Sequence, residues 1–185
     1  MDITETIRNY VEEECKKPTS KYGLEPFRFH FEPVVKYAVE LANELGADIE
    51  VVTLAGWLHD IGSIVVGREN HHIAGAKIAE EKLRELHYPE EKIELVKKCI
   101  LNHRGSLNRE RKSLEEQIIA EADVLSNFDN IGGIFKAAYE YEGLDQGEAQ
   151  KAVRKKLQNK YSQLQFEKSK KLIKPKYEAA MLLLS

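Results

Sequence analysis

The residues with the most chemical content are His59 and Asp60, adjacent in the stretch Trp57-Leu58-His59-Asp60-Ile61-Gly62. An imidazole beside a carboxylate, in an apolar segment expected to be buried, needs a partner, because desolvating either group alone is costly. A divalent cation is such a partner. Both side chains can ligate Zn, Fe, Mn and similar metals, and the carboxylate shifts the preference toward harder ions. Taken alone, the pair is equally what a helix end offers: a His favoured by the dipole next to a polar terminal residue. Further residues bear on that choice, namely His30 in Phe29-His30-Phe31-Glu32-Pro33, the pair His71 and His72, His103 followed by Arg104, and Asp123.

The elements that must position these side chains are helical by pattern. Asp48 is placed to cap a helix whose apolar residues Val52, Leu54, Ala55, Leu58 and Ile61 recur at helical spacing, with Gly62 as its expected C-terminal stop. His59 and Asp60 then share its last turn and diverge by about 100°, so one ion can reach both only over the helix edge. Pro33 suits the first position of a helix running to Leu45 and stopped by Gly46, which puts His30 at or just before its start. Asn70 can cap a helix with Ala76, Ala79, Leu83 and Leu86 on its buried stripe; His72 is in line with that stripe and His71 lies on its flank.

Glu90 opens another helix whose stripe Ile93, Val96 and Ile100 continues to His103, while His87 reads as a helix end. A polar loop containing Arg109 and Arg111 follows. Ser113 and Glu116 have capping-box spacing ahead of the stripe Leu114, Ile118, Ala122 and Leu125, with Asp123 beside it. An amphipathic helix is expected over residues 2–16, a break at Gly132 and Gly133, and helices over 134–141, 145–161, 166–173 and from Pro175 onward. The basic run Lys151–Lys156 reads as a solvated face with Glu partners.

Together, a His before a helix, His-Asp at a helix end, later His residues and a helical Asp resemble the HD superfamily of metal-dependent phosphohydrolases over residues 27–130. His30 stands four residues before Val34, His71 four before Gly75, and Glu121-Ala122-Asp123-Val124-Leu125 is similar to the family's final ligand segment. The resemblance implies an all-α, compact helical bundle, residues 1–185 forming one HD-type domain with additional C-terminal helices over 134–185. It implies metal ligands His30, His59, Asp60 and Asp123, with Glu121 as a supporting acid. It also implies catalytic or phosphate-contacting roles for Asp60, His71 or His72, His103 and Arg104. The cofactor would be a divalent ion, with Fe, Mn, Mg, Zn, Co and Ni not distinguished, and a second metal is allowed.

The activity implied is hydrolysis of a phosphate ester, with a nucleotide as a fitting small-molecule substrate. The Gly-Tyr-Pro triplet of the cyclic-dinucleotide phosphodiesterase branch, the acidic pair of the alarmone hydrolases and the Glu of the small nucleotidases do not follow Asp60. Two alternatives stay open: a regulatory module that binds metal or nucleotide without turnover, and a di-iron oxygenase-type protein using the additional His residues.

Composition sets the remaining expectations. Hydrophobic residues make up 42% and charged residues 32% of the 185, as in ordinary globular chains. A net charge of -3 argues against a general grip on duplex nucleic acid or an anionic membrane. Only Cys15 and Cys99 are present, so no disulfide framework is expected, and no leader or membrane-spanning run is read. The expectation is a cytoplasmic protein with no membrane partner, and a homodimer is allowed.

Overall fold

The computed structural model describes residues 2–20, 22–104 and 110–185, and among these the ordered elements are all helical. Arg109, part of the expected polar loop, lies outside the described residues. The helices are α1 (Ile3–Lys16), α2 (Glu32–Leu45), α3 (Ile49–Leu58), α4 (Ile61–Val65), α5 (His71–Glu85), α6 (Glu90–Asn102), α7 (Leu114–Ser126), α8 (Ile131–Glu140), α9 (Gln146–Ser162) and α10 (Glu167–Leu183). One π-helical turn, Phe27–Phe31, leads into α2.

The centre of the bundle is α3, where Val51, Val52, Leu54, Ala55, Trp57 and Leu58 are all buried. A helix that is apolar around most of its circumference must be surrounded. Here α1, α2, α6 and α7 pack around it, α5 packs on α6, and α4 packs on α5. Gly56 lets α2 come close, since a Cβ there would lie 3.0 Å from Val35 Cγ2. One hydrophobic cluster takes in residues from Ile7 on α1 to Ala180 on α10.

Local signals account for several boundaries. Asp48 accepts the Val51 N–H and starts α3, and the Ser113–Glu116 capping box starts α7. A further capping box, Asp145 with Glu148, starts α9.

Elsewhere the structure departs from the sequence pattern. Gly62 does not stop α3: that helix ends at Leu58, and Gly62 sits inside α4 with no positive φ. Its missing side chain serves close approach instead, because a Cβ would overlap the His71 carbonyl oxygen and lie 2.7 Å from the Gly75 amide nitrogen. Gly132 and Gly133 fall in the first turn of α8, where the Asn130 side chain accepts the Gly133 N–H. The two C-terminal segments expected on either side of Pro175 are one helix, α10, with the proline inside it. Asn70 precedes α5 in a left-handed conformation, without a side-chain cap.

Candidate metal centre

His30 is carried on the π-helical turn. Pro33, at the second position of α2 rather than the first, lacks an N–H and crowds the carbonyl four residues back. Widening the preceding turn relieves that conflict, and the Glu32 N–H bonds the Phe27 carbonyl five residues away. His59 follows the last residue of α3 and Asp60 precedes α4, so the dipeptide occupies the break between two helices, not the last turn of one. The tight approach of α4 at Gly62 brings His71, the first residue of α5, to Asp60. His103 ends α6 and Asp123 lies on α7.

Four imidazoles converge, all oriented the same way. His59 Nδ1–H donates to the Gly56 carbonyl at 2.8 Å, His71 Nδ1–H to the Arg68 carbonyl at 2.8 Å, and His103 Nδ1–H to the Ile100 carbonyl at 2.7 Å. Ser126 Oγ–H donates to the Asp123 carbonyl at 2.8 Å, leaving its oxygen to accept His30 Nδ1–H at 3.0 Å. Bonding at Nδ1 assigns each neutral ring a lone pair on Nε2.

Those Nε2 atoms surround Asp60. Oδ2 lies 3.4 Å from His30 Nε2 and 3.8 Å from His59 Nε2; Oδ1 lies 3.1 Å from His71 Nε2 and 3.5 Å from His103 Nε2. His30, His59 and Asp60 form one group able to hold a metal ion, and Asp60, His71 and His103 form a second. His30 Nε2 and His59 Nε2 are 3.0 Å apart, a separation that two lone pairs tolerate only with a proton or a cation between them. Asp60 Oδ1 is buried and receives no well-formed hydrogen bond. Both observations fit a positively charged guest.

The electrostatics agree. Burial pushes His59 down to about 4, outweighing the pull of Asp60, so its ring is neutral near pH 7. Burial would lower His30 too, but Asp60 and Asp123 outweigh it and raise its proton affinity. Burial would raise the Asp60 carboxyl, yet the surrounding imidazoles hold it well below the usual carboxylate range. The cluster therefore favours positive charge at its centre.

The placement of the remaining candidates is now definite. His71 faces Asp60, and His72 is buried, 4% exposed, beside it in the first turn of α5. Asp123 Oδ1 stands 3.7 Å from His30 Nε2, while its Oδ2 takes the Lys160 ammonium of α9 at 3.0 Å. Arg104 is half-buried next to His103; Asp60 raises the proton affinity of His71, and the Arg104 charge opposes it only in part. Glu121 is not at the centre: its carboxylate accepts the Gln165 and Phe166 N–H groups just ahead of α10. Sequence reasoning missed Ser126 and Lys160. Ser126 stands three residues after Asp123, on the same helix face, which is a usable signal; Lys160 has none, because α9 arrives from far along the chain.

A cleft of about 610 Å³ opens beside the centre, lined by His30 and Asp60 together with Tyr22, Phe29, Arg68 and Lys156 among others. This is the size of a small-molecule site.

Comparison with known proteins places these observations. The model of the HD domain family matches residues 29–127. An uncharacterized protein of Clostridium beijerinckii is 34% identical over 102 residues, covering 52% of this chain and 62% of its own length. Ribonuclease Y of Mycoplasma capricolum is 35% identical over 99 residues, covering 52% of this chain and 18% of the enzyme. The chain thus spans less than two thirds of either relative. Among solved structures, an HD-superfamily hydrolase from Bacillus thuringiensis superposes with a TM-score of 0.74 at 20% identity, covering 98% of this chain and 92% of the other. Bacillus subtilis YpgQ in complex with ADP gives a TM-score of 0.73 at 20% identity, over 97% and 92%. At that identity the likeness establishes the fold.

Proposed function

The chain belongs to the HD domain family, and we propose that it is a metal-dependent phosphohydrolase acting on a phosphate ester of a nucleotide. The observation that carries the reading is the convergence of four Nε2 lone pairs on the two oxygens of Asp60, which forms two adjacent ligand groups sharing one carboxylate. His30, His59 and Asp60 would hold one divalent ion, with Asp123 completing that group, and Asp60, His71 and His103 would hold a second. When bound, such ions make water nucleophilic at neutral pH and offset charge on phosphoryl oxygens.

The chain's own groups supply the rest. The backbone carbonyls and Ser126 fix each ring in the tautomer that offers Nε2. Lys160 holds the far oxygen of Asp123, leaving the near one directed at His30. Arg104, on the rim beside His103, is placed to bind a phosphate oxygen. A nucleotide substrate is supported by the cleft volume, by the ADP bound to YpgQ and by the ribonuclease relative. We read residues 1–185 as one unit, since a single hydrophobic cluster includes both α1 and α10.

The test is metal content of protein purified without chelator, followed by phosphate release from a panel of nucleotides and a short oligoribonucleotide, for the wild type and His59→Ala. Bound metal with hydrolysis in the wild type, both lost in the variant, is the expected result. Metal binding without turnover on any substrate would replace the enzyme with a regulatory module. The second ligand group also favours a di-iron oxygenase reading, which iron-loaded protein consuming oxygen without releasing phosphate would establish.

A further inference from the structure

The cleft beside the metal centre carries two cations that the proposed chemistry has not used. Its acids are already engaged: Glu25 pairs with Lys136 at 2.8 Å, Asp129 pairs with Lys176 and accepts the Tyr37 hydroxyl at 2.7 Å, and Asp60 faces the imidazoles. Among the described residues, neither Arg68 nor Lys156 has a carboxylate partner.

Both cations are registered to the centre. Arg68 gives its carbonyl to His71 Nδ1–H, so the segment bearing it is tied to the ring that faces Asp60. Lys156 lies on α9 one turn before Lys160, about 6 Å along the axis, and Lys160 touches Asp123. The crowding of the cleft wall, then the charges of Lys160 and Arg68, pull the Lys156 ammonium below the usual lysine range. A bound anion relieves that repulsion.

We propose that Arg68 and Lys156 form the seat of a second phosphate group, so that the cleft selects small molecules carrying a diphosphate or longer chain over monophosphates. The inference rests on the phosphohydrolase reading for which phosphate reacts, and adds what the remainder of the substrate must carry. A planar guanidinium and a point-charge ammonium lining the same cleft suit an anion with oxygens on several sides. A cleft of about 610 Å³, the size of a small-molecule site, favours a small polyphosphate over a nucleic-acid strand.

The test uses the full-length chain as purified and compares the binding of two hydrolysis-resistant probes, methylenediphosphonate and methylphosphonate, by calorimetry. The wild type should prefer the diphosphonate by about tenfold or more, the scale of one charge-assisted hydrogen bond. Lys156→Gln should abolish most of that preference, Lys156→Arg should restore it, and Lys155→Gln, a neighbour on α9 that does not line the cleft, should leave it intact. Equal affinity for the two probes in the wild type, or a preference that survives in Lys156→Gln, overturns the seat. So does a short oligoribonucleotide that binds more tightly than the diphosphonate. Absence of hydrolysis in the nucleotide panel, with the diphosphonate preference and its loss in Lys156→Gln both observed, removes the enzyme reading and leaves the anion seat standing.

Discussion

At the scale of residues, the informative feature is the use made of each imidazole's second nitrogen. His30, His59, His71 and His103 all give their Nδ1–H to an oxygen of the framework. The rings are therefore aimed before any guest arrives, which is what raises ligand affinity in metal sites. His71 and His72 separate the two roles a helical His can take. His71→Ala should remove one of the two proposed ions and leave the melting temperature of chelator-treated protein nearly unchanged, because that ring faces Asp60 and is not part of the hydrophobic cluster. His72→Ala should keep the metal and lose roughly 2–4 kcal/mol of stability, as truncation of a buried ring does. Elemental analysis and thermal melting of the two variants check this; metal lost from His72→Ala and retained in His71→Ala would reverse the assignment.

At the scale of elements, what sequence made legible was local, and what it hid was the contact between elements. Asp48, and Ser113 with Glu116, each announce a helix start by a side chain that bonds a backbone amide within three residues, and both starts are formed. Asp48 also pairs with Lys92 of α6 at 2.9 Å, linking two helices that flank the centre. Partial burial raises its pKa, but the Lys92 ammonium and the Val51 amide outweigh this and lower it below 3.8. A carboxylate with a depressed folded pKa contributes stability above its unfolded value and loses it as pH falls through the folded one. Asp48→Asn, which keeps the cap and removes the charge, should therefore cost up to about 1 kcal/mol at pH 7 and nothing once the pH is below the folded value. Denaturant titrations at neutral and acid pH read the difference, and a cost that persists in acid would locate it in the cap. By contrast, a glycine looks the same in sequence whether it supplies a positive φ or a close approach, so Gly62 read as a stop when it is the contact point of α4 with α5. Pro33 signalled a helix start but not the widened turn before it, and Lys160 reached Asp123 from a helix whose basic face gave no sign of its partner.

At the scale of the whole molecule, the centre is a meeting point. Its donors come from the π-helical turn, the α3–α4 break, the start of α5, the end of α6 and the middle of α7, and they approach one another only when those elements are docked. The hydrophobic cluster that docks them does not depend on the guest, since Val51, Val52, Leu54, Ala55, Trp57 and Leu58 of α3 are buried in it. Cation binding should thus add to stability without being required for the fold. A ligand that binds only the native state stabilises it by about 2.7 kcal/mol at a hundredfold excess over its Kd. In a chain of this length that is worth roughly 5–10 °C in melting temperature. Metal-loaded protein should melt higher than chelator-treated protein by that order, while both show the same helical circular dichroism at 25 °C. His59→Ala should lose most of the difference, because it removes one of the two lone pairs that face each other across 3.0 Å. Loss of helix on chelation would make the ion a structural keystone, and identical melting curves would mean that the positive charge between His30 and His59 is a proton, with Asp60 and Asp123 holding it there.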